Sequence, residues 1–242
     1  MNFTEIANKI VESDPLDFGS IFSKSIELFK QVWVQGFVIV LLTFVIMIPF
    51  YILMYIPLII AGITDPEMLR SEEIPSEVML PLAIIMPIVF LGIMAVGFML
   101  NAAFLRICKI KDLNLSETNN YFHYFKKEYV LKTVILALMA LGLMLLGVLA
   151  CGIGVFYMVV PISLFPAFLA FDKELSAKEI LMSSFSLGNK NWLVIFGLVI
   201  VMGIVAELGV LLCFVGVLFT AMLAKIPVYF MYKDSIGFYP EA

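Results

Sequence analysis

Long apolar runs separated by short polar stretches set the pattern of this chain. They extend from about Trp33 to Ala61, Leu80 to Ile107, Val130 to Ala150, Ile153 to Phe171, Trp192 to Leu212 and Phe214 to Tyr232. About 20 helical residues cross a hydrocarbon core of about 30 Å, so each run has the length of a transmembrane helix. Barrel strands would instead alternate apolar and polar residues in segments of about ten, and that alternation is missing. The expected fold is all-α, a polytopic membrane protein with six transmembrane helices. The first two runs are the longest, which predicts tilt or kinking. Pro49, Pro57, Pro81 and Pro87 mark places where the helical hydrogen-bond ladder must break, as do Pro161, Pro166 and Pro227 later.

Polar stretches between the runs carry a second pattern. From Asp17 to Val32, the apolar residues Phe18, Ile21, Phe22, Ile26 and Phe29 recur at helical steps against Ser20, Ser23, Lys24, Glu27 and Lys30. That reads as an amphipathic helix suited to the bilayer surface. Ser176 with Glu179 forms a capping box opening a similar segment, and Gly188 is a helix stop ahead of Trp192. Ser116 is a candidate cap for another, which holds Tyr121, Phe122, Tyr124 and Phe125. These aromatics suit interfacial anchoring or docking of a protein partner.

The segment LGVLACGIGV at 146–155 aligns with LGVLLCFVGV at 208–217, and in the same register Phe168 and Asp172 fall on Phe230 and Asp234. Helices three and four thus repeat as five and six. FKQVW at 29–33, FKKEY at 125–129 and LGNKNW at 187–192 extend the likeness to the first pair, with Gly97 and Lys111-Asp112 fitting the later landmarks loosely. The expectation is one integral membrane domain, 1–242, of three helical hairpins at about 17–112, 114–174 and 176–235, each preceded by an amphipathic interfacial segment. Copies of this kind run in the same direction, which implies pseudo-threefold packing about the membrane normal.

Composition agrees: 63% of the residues are hydrophobic and 14% charged, against about 25% charged in soluble domains. Of the 15 basic residues, Arg70 alone lies between helices one and two, in an external loop at 62–79 with Asp65, Glu67, Glu72, Glu73 and Glu77. Basic residues are retained on the cytoplasmic side, so both termini are expected there, in a cell (inner, cytoplasmic) membrane. No apolar signal core precedes Trp33, and a cleaved leader is not expected. The net charge of −4 says little about partners, since the acidic excess is concentrated in that external loop and near the N-terminus, and no basic, aromatic-interleaved patch suggests nucleic-acid binding.

Charges inside apolar spans are the candidate functional groups, because they are costly there without pairing, water or snorkelling. Glu207 lies about 22 Å along helix five from Trp192, and reads either as a carboxylate reaching headgroups or as a proton- or ion-handling site. Lys225 and Arg106 occupy the inner halves of helices six and two. They either snorkel to lipid phosphates or line a solute- or headgroup-binding cavity, which Asn101 can join. Cys151 and Cys213 occupy equivalent external turns and are a candidate disulfide, or simply small apolar residues. The single histidine, His123, lacks companion ligands, so neither a metal nor a cofactor is expected. No phosphate loop, nucleophile elbow or other catalytic motif appears.

The repeated approach segment, aromatic, apolar helix, LGVLxCxxGV turn and returning helix, from Asp17 to Asp234, resembles small multi-pass membrane families of bacteria and archaea. These are related to the membrane domain attached to some glycerophosphodiester phosphodiesterases, and some relatives carry the label carotene oxygenase. The resemblance implies a fold without an activity. Carotenoid oxygenases hold iron with four histidines where this chain has one, and the phosphodiesterase barrel has no counterpart here. The expected role is a non-enzymatic scaffold or a component binding lipid or a partner. The alternative is a small transporter using Glu207, Lys225 and Arg106.

Overall fold

The computed structural model describes residues 1–60, 76–211 and 215–238. Among these residues the chain is all-helical, without strands. Five helices are long and apolar enough to cross a membrane. They are α2 (Phe18–Ile60), α3 (Ser76–Asp112), α4 (Lys127–Leu149), α5 (Ile153–Phe171) and α7 (Trp192–Glu207), the last extended by a 3-10 turn at Leu208–Leu211. Shorter helices are α1 (Phe3–Glu12), α6 (Ala177–Lys190), α8 (Val215–Thr220) and α9 (Ile226–Ser235). The acidic loop expected at 62–79 lies for the most part outside the described residues, and Cys213 lies outside them.

The last apolar run differs from the single span expected of it. It is divided into α8, a 3-10 stretch at Ala221–Lys225, and α9. Pro227 explains the change of pitch: its nitrogen has no hydrogen to give the carbonyl of Leu223, and the Ile226 N–H bonds that carbonyl instead, in the tighter register. Elsewhere the prolines did not break their helices. α2 runs through Pro49 and Pro57, α3 through Pro81 and Pro87, and α5 through Pro161 and Pro166.

The three approach segments take three forms. The first is fused to its span, because nothing between Gln31 and Gln35 interrupts a helix, and α2 is 43 residues long. At 1.5 Å per residue that is about 65 Å, roughly twice the hydrocarbon thickness. The second is not a helix beyond the 3-10 turn His123–Phe125. α3 ends there in a left-handed Asn114 (φ 52°), with Leu115 N–H donating to Ile110 O at 2.9 Å and Asn114 N–H to Lys111 O, a Schellman stop. The Asn-rich stretch that follows favours turns. The third is the separate amphipathic helix α6, with the capping box of Ser176 and Glu179 in place and Asn191 dividing it from α7.

α1 rests on α6, burying Ile6 and Ile10. Lys190 at the end of α6 donates to the carbonyls of Ile10 (2.7 Å) and Val11 (3.0 Å), a cation placed on the carbonyls that a helix end leaves without partners. Asn191 Oδ1 accepts from Leu16 N–H at 2.9 Å.

Helices α3, α5 and α9, which return toward the end holding α1 and α6, pack on one another there. Their buried residues concentrate in that half: Ala95–Ile110 of α3, Val160–Leu169 of α5 and Ile226–Tyr232 of α9. In the opposite half of α5, residues 153–159, none is buried. The core is dense toward the polar end and thin toward the other.

Two hairpin turns are pinched by glycine. A Cβ on Gly147 would stand 2.8 Å from the backbone nitrogen of Val155 and 2.9 Å from the carbonyl carbon of Gly154; one on Gly209 would stand 2.7 Å from that of Gly216. Backbone cannot retreat as a side-chain end can. Gly147→Ala is expected to destabilise the protein by ~1–3 kcal/mol through overpacking. Gly142→Ala, in open space on the same helix, should be neutral or stabilise by ~0.5–1 kcal/mol. Thermal unfolding in detergent compares the two, and equal melting temperatures would contradict the close approach.

Candidate functional site

At the polar end, aspartates close the three returning helices: Asp112 is the last residue of α3, Asp172 follows α5 and Asp234 lies in α9. Each is bound from another part of the chain. Tyr229 donates to Asp112 Oδ2 at 2.5 Å, and Lys233 pairs with the same carboxylate. Tyr232 donates to Asp172 Oδ2 at 2.6 Å, with the Met1 amino group 3.7 Å from Oδ1. Lys24 of α2 pairs with Asp234 at 3.0 Å. The i, i+3 spacing of Tyr229 and Tyr232 puts both hydroxyls on one side of α9, one for each neighbour. Burial pushes the Asp172 carboxyl up to about 6, against the hydrogen bond from Tyr232, which pulls it down.

Arg106 has a partner within the protein. Its guanidinium pairs with Glu117 in the loop after α3, a partner the sequence reading missed because the contact depends on how that loop folds back. The pair borders a cavity of about 250 Å³ shared with Lys109, His123, Tyr124 and Tyr129. Burial, helped by Arg106 and Lys126, lowers the pKa of His123, so its ring is neutral at pH 7. Tyr124 is 2% exposed and donates to Ala170 O at 2.8 Å. It is a core residue rather than a docking aromatic. Tyr121 and Phe125 pack partly on the core, and Phe122 is exposed.

Lys225 and Asn101 do come together. They line a cleft of about 220 Å³ with Ser163 and the apolar side chains of Phe98, Met144 and Val228. The cleft sits where the dense packing of α3, α5 and α9 gives out. The 3-10 stretch forced by Pro227 ends on Lys225, so the proline sets where this lysine stands. Among the described residues no carboxylate pairs with Lys225. The Ser163 hydroxyl is committed to Val160 O at 2.7 Å, leaving its oxygen as an acceptor.

Glu207 is not part of this cleft. It is the last residue of α7 and is exposed, while the preceding carbonyl, of Ala206, accepts from Thr220 at 2.6 Å. Cys151 is exposed in the α4–α5 turn at φ 56°, and its suggested partner Cys213 lies outside the described residues. Among the described residues no three His, Cys, Asp or Glu side chains gather as a metal site. The sequence candidates therefore separate: Asn101 and Lys225 share a cleft, Arg106 belongs to an ion pair at the polar end, and Glu207 stands apart.

Comparison with family models, with curated proteins and with solved structures gives no match for this chain.

The buried carboxylate makes stability depend on pH. An unfolded Asp172 titrates near 3.8 and the folded one near 6, so between these values the folded state holds the extra proton. Its contribution is most favourable below about pH 4 and is lost as pH rises through about 6, by up to ~3 kcal/mol. Asp172→Asn removes that titration. Melting temperatures from pH 4 to 7 should fall more steeply for the wild type than for the variant; parallel profiles would show that Asp172 does not titrate there.

Proposed function

We propose that this chain is a non-enzymatic, lipid-binding component of a cell (inner, cytoplasmic) membrane, with six spanning helices in three related hairpins and both termini in the cytoplasm. The observation that carries the reading is the Lys225 cleft: a mainly apolar recess with a cation and an amide, set above a tightly packed polar end and not lined by Glu207. Such a recess suits a ligand that is itself part apolar and part polar.

Support for the sixth span comes from the run Val215–Ser235, helical throughout and of roughly the 20 residues a crossing needs. The shared glycine approach at Gly147 and Gly209, with the aspartates Asp112, Asp172 and Asp234 at corresponding ends, favours three related hairpins. Lys9, Lys24, Arg106, Lys109, Lys190 and Lys233 all belong to the end that bears α1 and α6, the distribution expected of a cytoplasmic face. The resemblance to the membrane domain attached to some glycerophosphodiester phosphodiesterases fits a membrane module without a reaction of its own.

A transporter is the second reading, and the pairing of Asn101 with Lys225 is what favours it. One preparation discriminates the two. Protein purified in mild detergent is expected to retain lipid, seen by native mass spectrometry, and after reconstitution to leave a proton gradient intact. A proton-coupled flux that Glu207→Gln abolishes, with no lipid retained, would overturn the lipid-binding reading in favour of transport.

A further inference from the structure

We infer that the Lys225 cleft is a binding site for a single-chain amphiphile with a carboxylate head, a long-chain fatty acid or a close chemical equivalent. This rests on the lipid-binding reading above and names the class of lipid.

Charge comes first. An ammonium inside an apolar span is costly unless it is paired or reaches water, and among the described residues the protein supplies Lys225 with no carboxylate. An anion brought by the ligand completes the pair. Asn101, on the same cleft, adds a neutral amide donor for the second carboxylate oxygen. Ser163 cannot donate, since its hydrogen is given to Val160 O. The site thus offers one charge and one amide, a set that suits a monoanion with two terminal oxygens, a carboxylate or a phosphodiester, better than a dianionic phosphate monoester.

Depth decides between one chain and two. Lys225 stands ten residues before the end of α9, about 15 Å along the helix axis from the polar end and so near the bilayer midplane. A phospholipid phosphate is held at the interface by its glycerol and both chains, well above the reach of a lysine at this level. A single-chain acid is under no such constraint and can sink its head into the recess.

Size gives the same answer. A cleft of about 220 Å³ is smaller than the roughly 300–1,000 Å³ that enclose a whole drug-sized ligand. It houses the head and the first methylenes, flanked by Phe98, Met144 and Val228. The remainder of the chain continues among lipid tails, at no hydrophobic cost.

The test uses the full chain in phosphatidylcholine nanodiscs, with empty nanodiscs as background, titrated with radiolabelled palmitate and with its methyl ester. Saturable binding near one palmitate per chain is expected, with the uncharged ester at least about tenfold weaker, the loss that goes with one charged hydrogen bond. Lys225→Gln should weaken palmitate by about the same factor, while Lys225→Arg should stay within about threefold. Variants are compared after matching their melting temperatures, and the acid-against-ester comparison needs no variant. Equal binding of acid and ester, or full palmitate binding by Lys225→Gln, overturns the proposal. In a parallel titration with phosphatidylglycerol, its saturable retention in place of palmitate overturns the carboxylate class and leaves the lipid-binding reading standing; saturable retention of neither removes both.

Discussion

A carboxylate that closes a helix against a packed bundle gives up part or all of its water, and takes hydrogen-bond donors from the protein in exchange. Asp112 and Asp172 find them in Tyr229 and Tyr232, two hydroxyls of one short helix that bind two different neighbours. α9 is thereby fixed in rotation and in height against α3 and α5 at once. Phe171 and Phe238 fill the space beside these tyrosines, with ring centroids 4.8 Å apart for Phe171 and Tyr232 and 5.7 Å for Phe238 and Tyr232. Everything at the polar end is organised around these ties, including the salt bridge by which Lys24 anchors α2 to α9.

The uneven packing follows. Small and aromatic side chains fill the polar half of the returning helices, so Ala102, Ala103, Phe104, Phe165 and Phe168 are fully buried. Toward the other end the helices separate, and Leu80, Ile153 and Ile204 face outward, as lipid-facing residues do. The Lys225 cleft lies at that transition. Lys225 is exposed at that cleft, clear of the tight core.

Much of the fold was legible in the sequence because its signals are local. Five apolar runs became helices long and apolar enough to cross a membrane, and the capping box at Ser176 and Glu179 formed as the residue pattern required. Close backbone approach admits no Cβ at Gly147 or Gly209, a reason for glycine that matching the two segments does not by itself give. Proline was harder to read. In α5 the helix absorbed both rings, while Pro227 changed the pitch of the run that precedes it, and composition alone does not distinguish these outcomes. The fusion of the first approach segment with its span also escaped, because amphipathic periodicity marks a face and not an end. Of the candidate site residues, Asn101 and Lys225 lie on one cleft. The pairing of Arg106 with Glu117 was not legible, because it depends on a loop whose path no periodicity records. Tyr124 looked like a surface aromatic for the same reason, its hydroxyl being placed by the end of α5.

α2 makes the bundle mechanically unusual. Between Phe18 and Ile48 it contains no proline, so this stretch behaves as a stiff rod whose lower part lies alongside the polar end and whose upper part lies in the membrane. Such a rod cannot hinge at the interface. Any tilt of its upper part therefore moves the lower part the opposite way, and with it Lys24, whose pair with Asp234 is the exposed ion pair between α2 and α9.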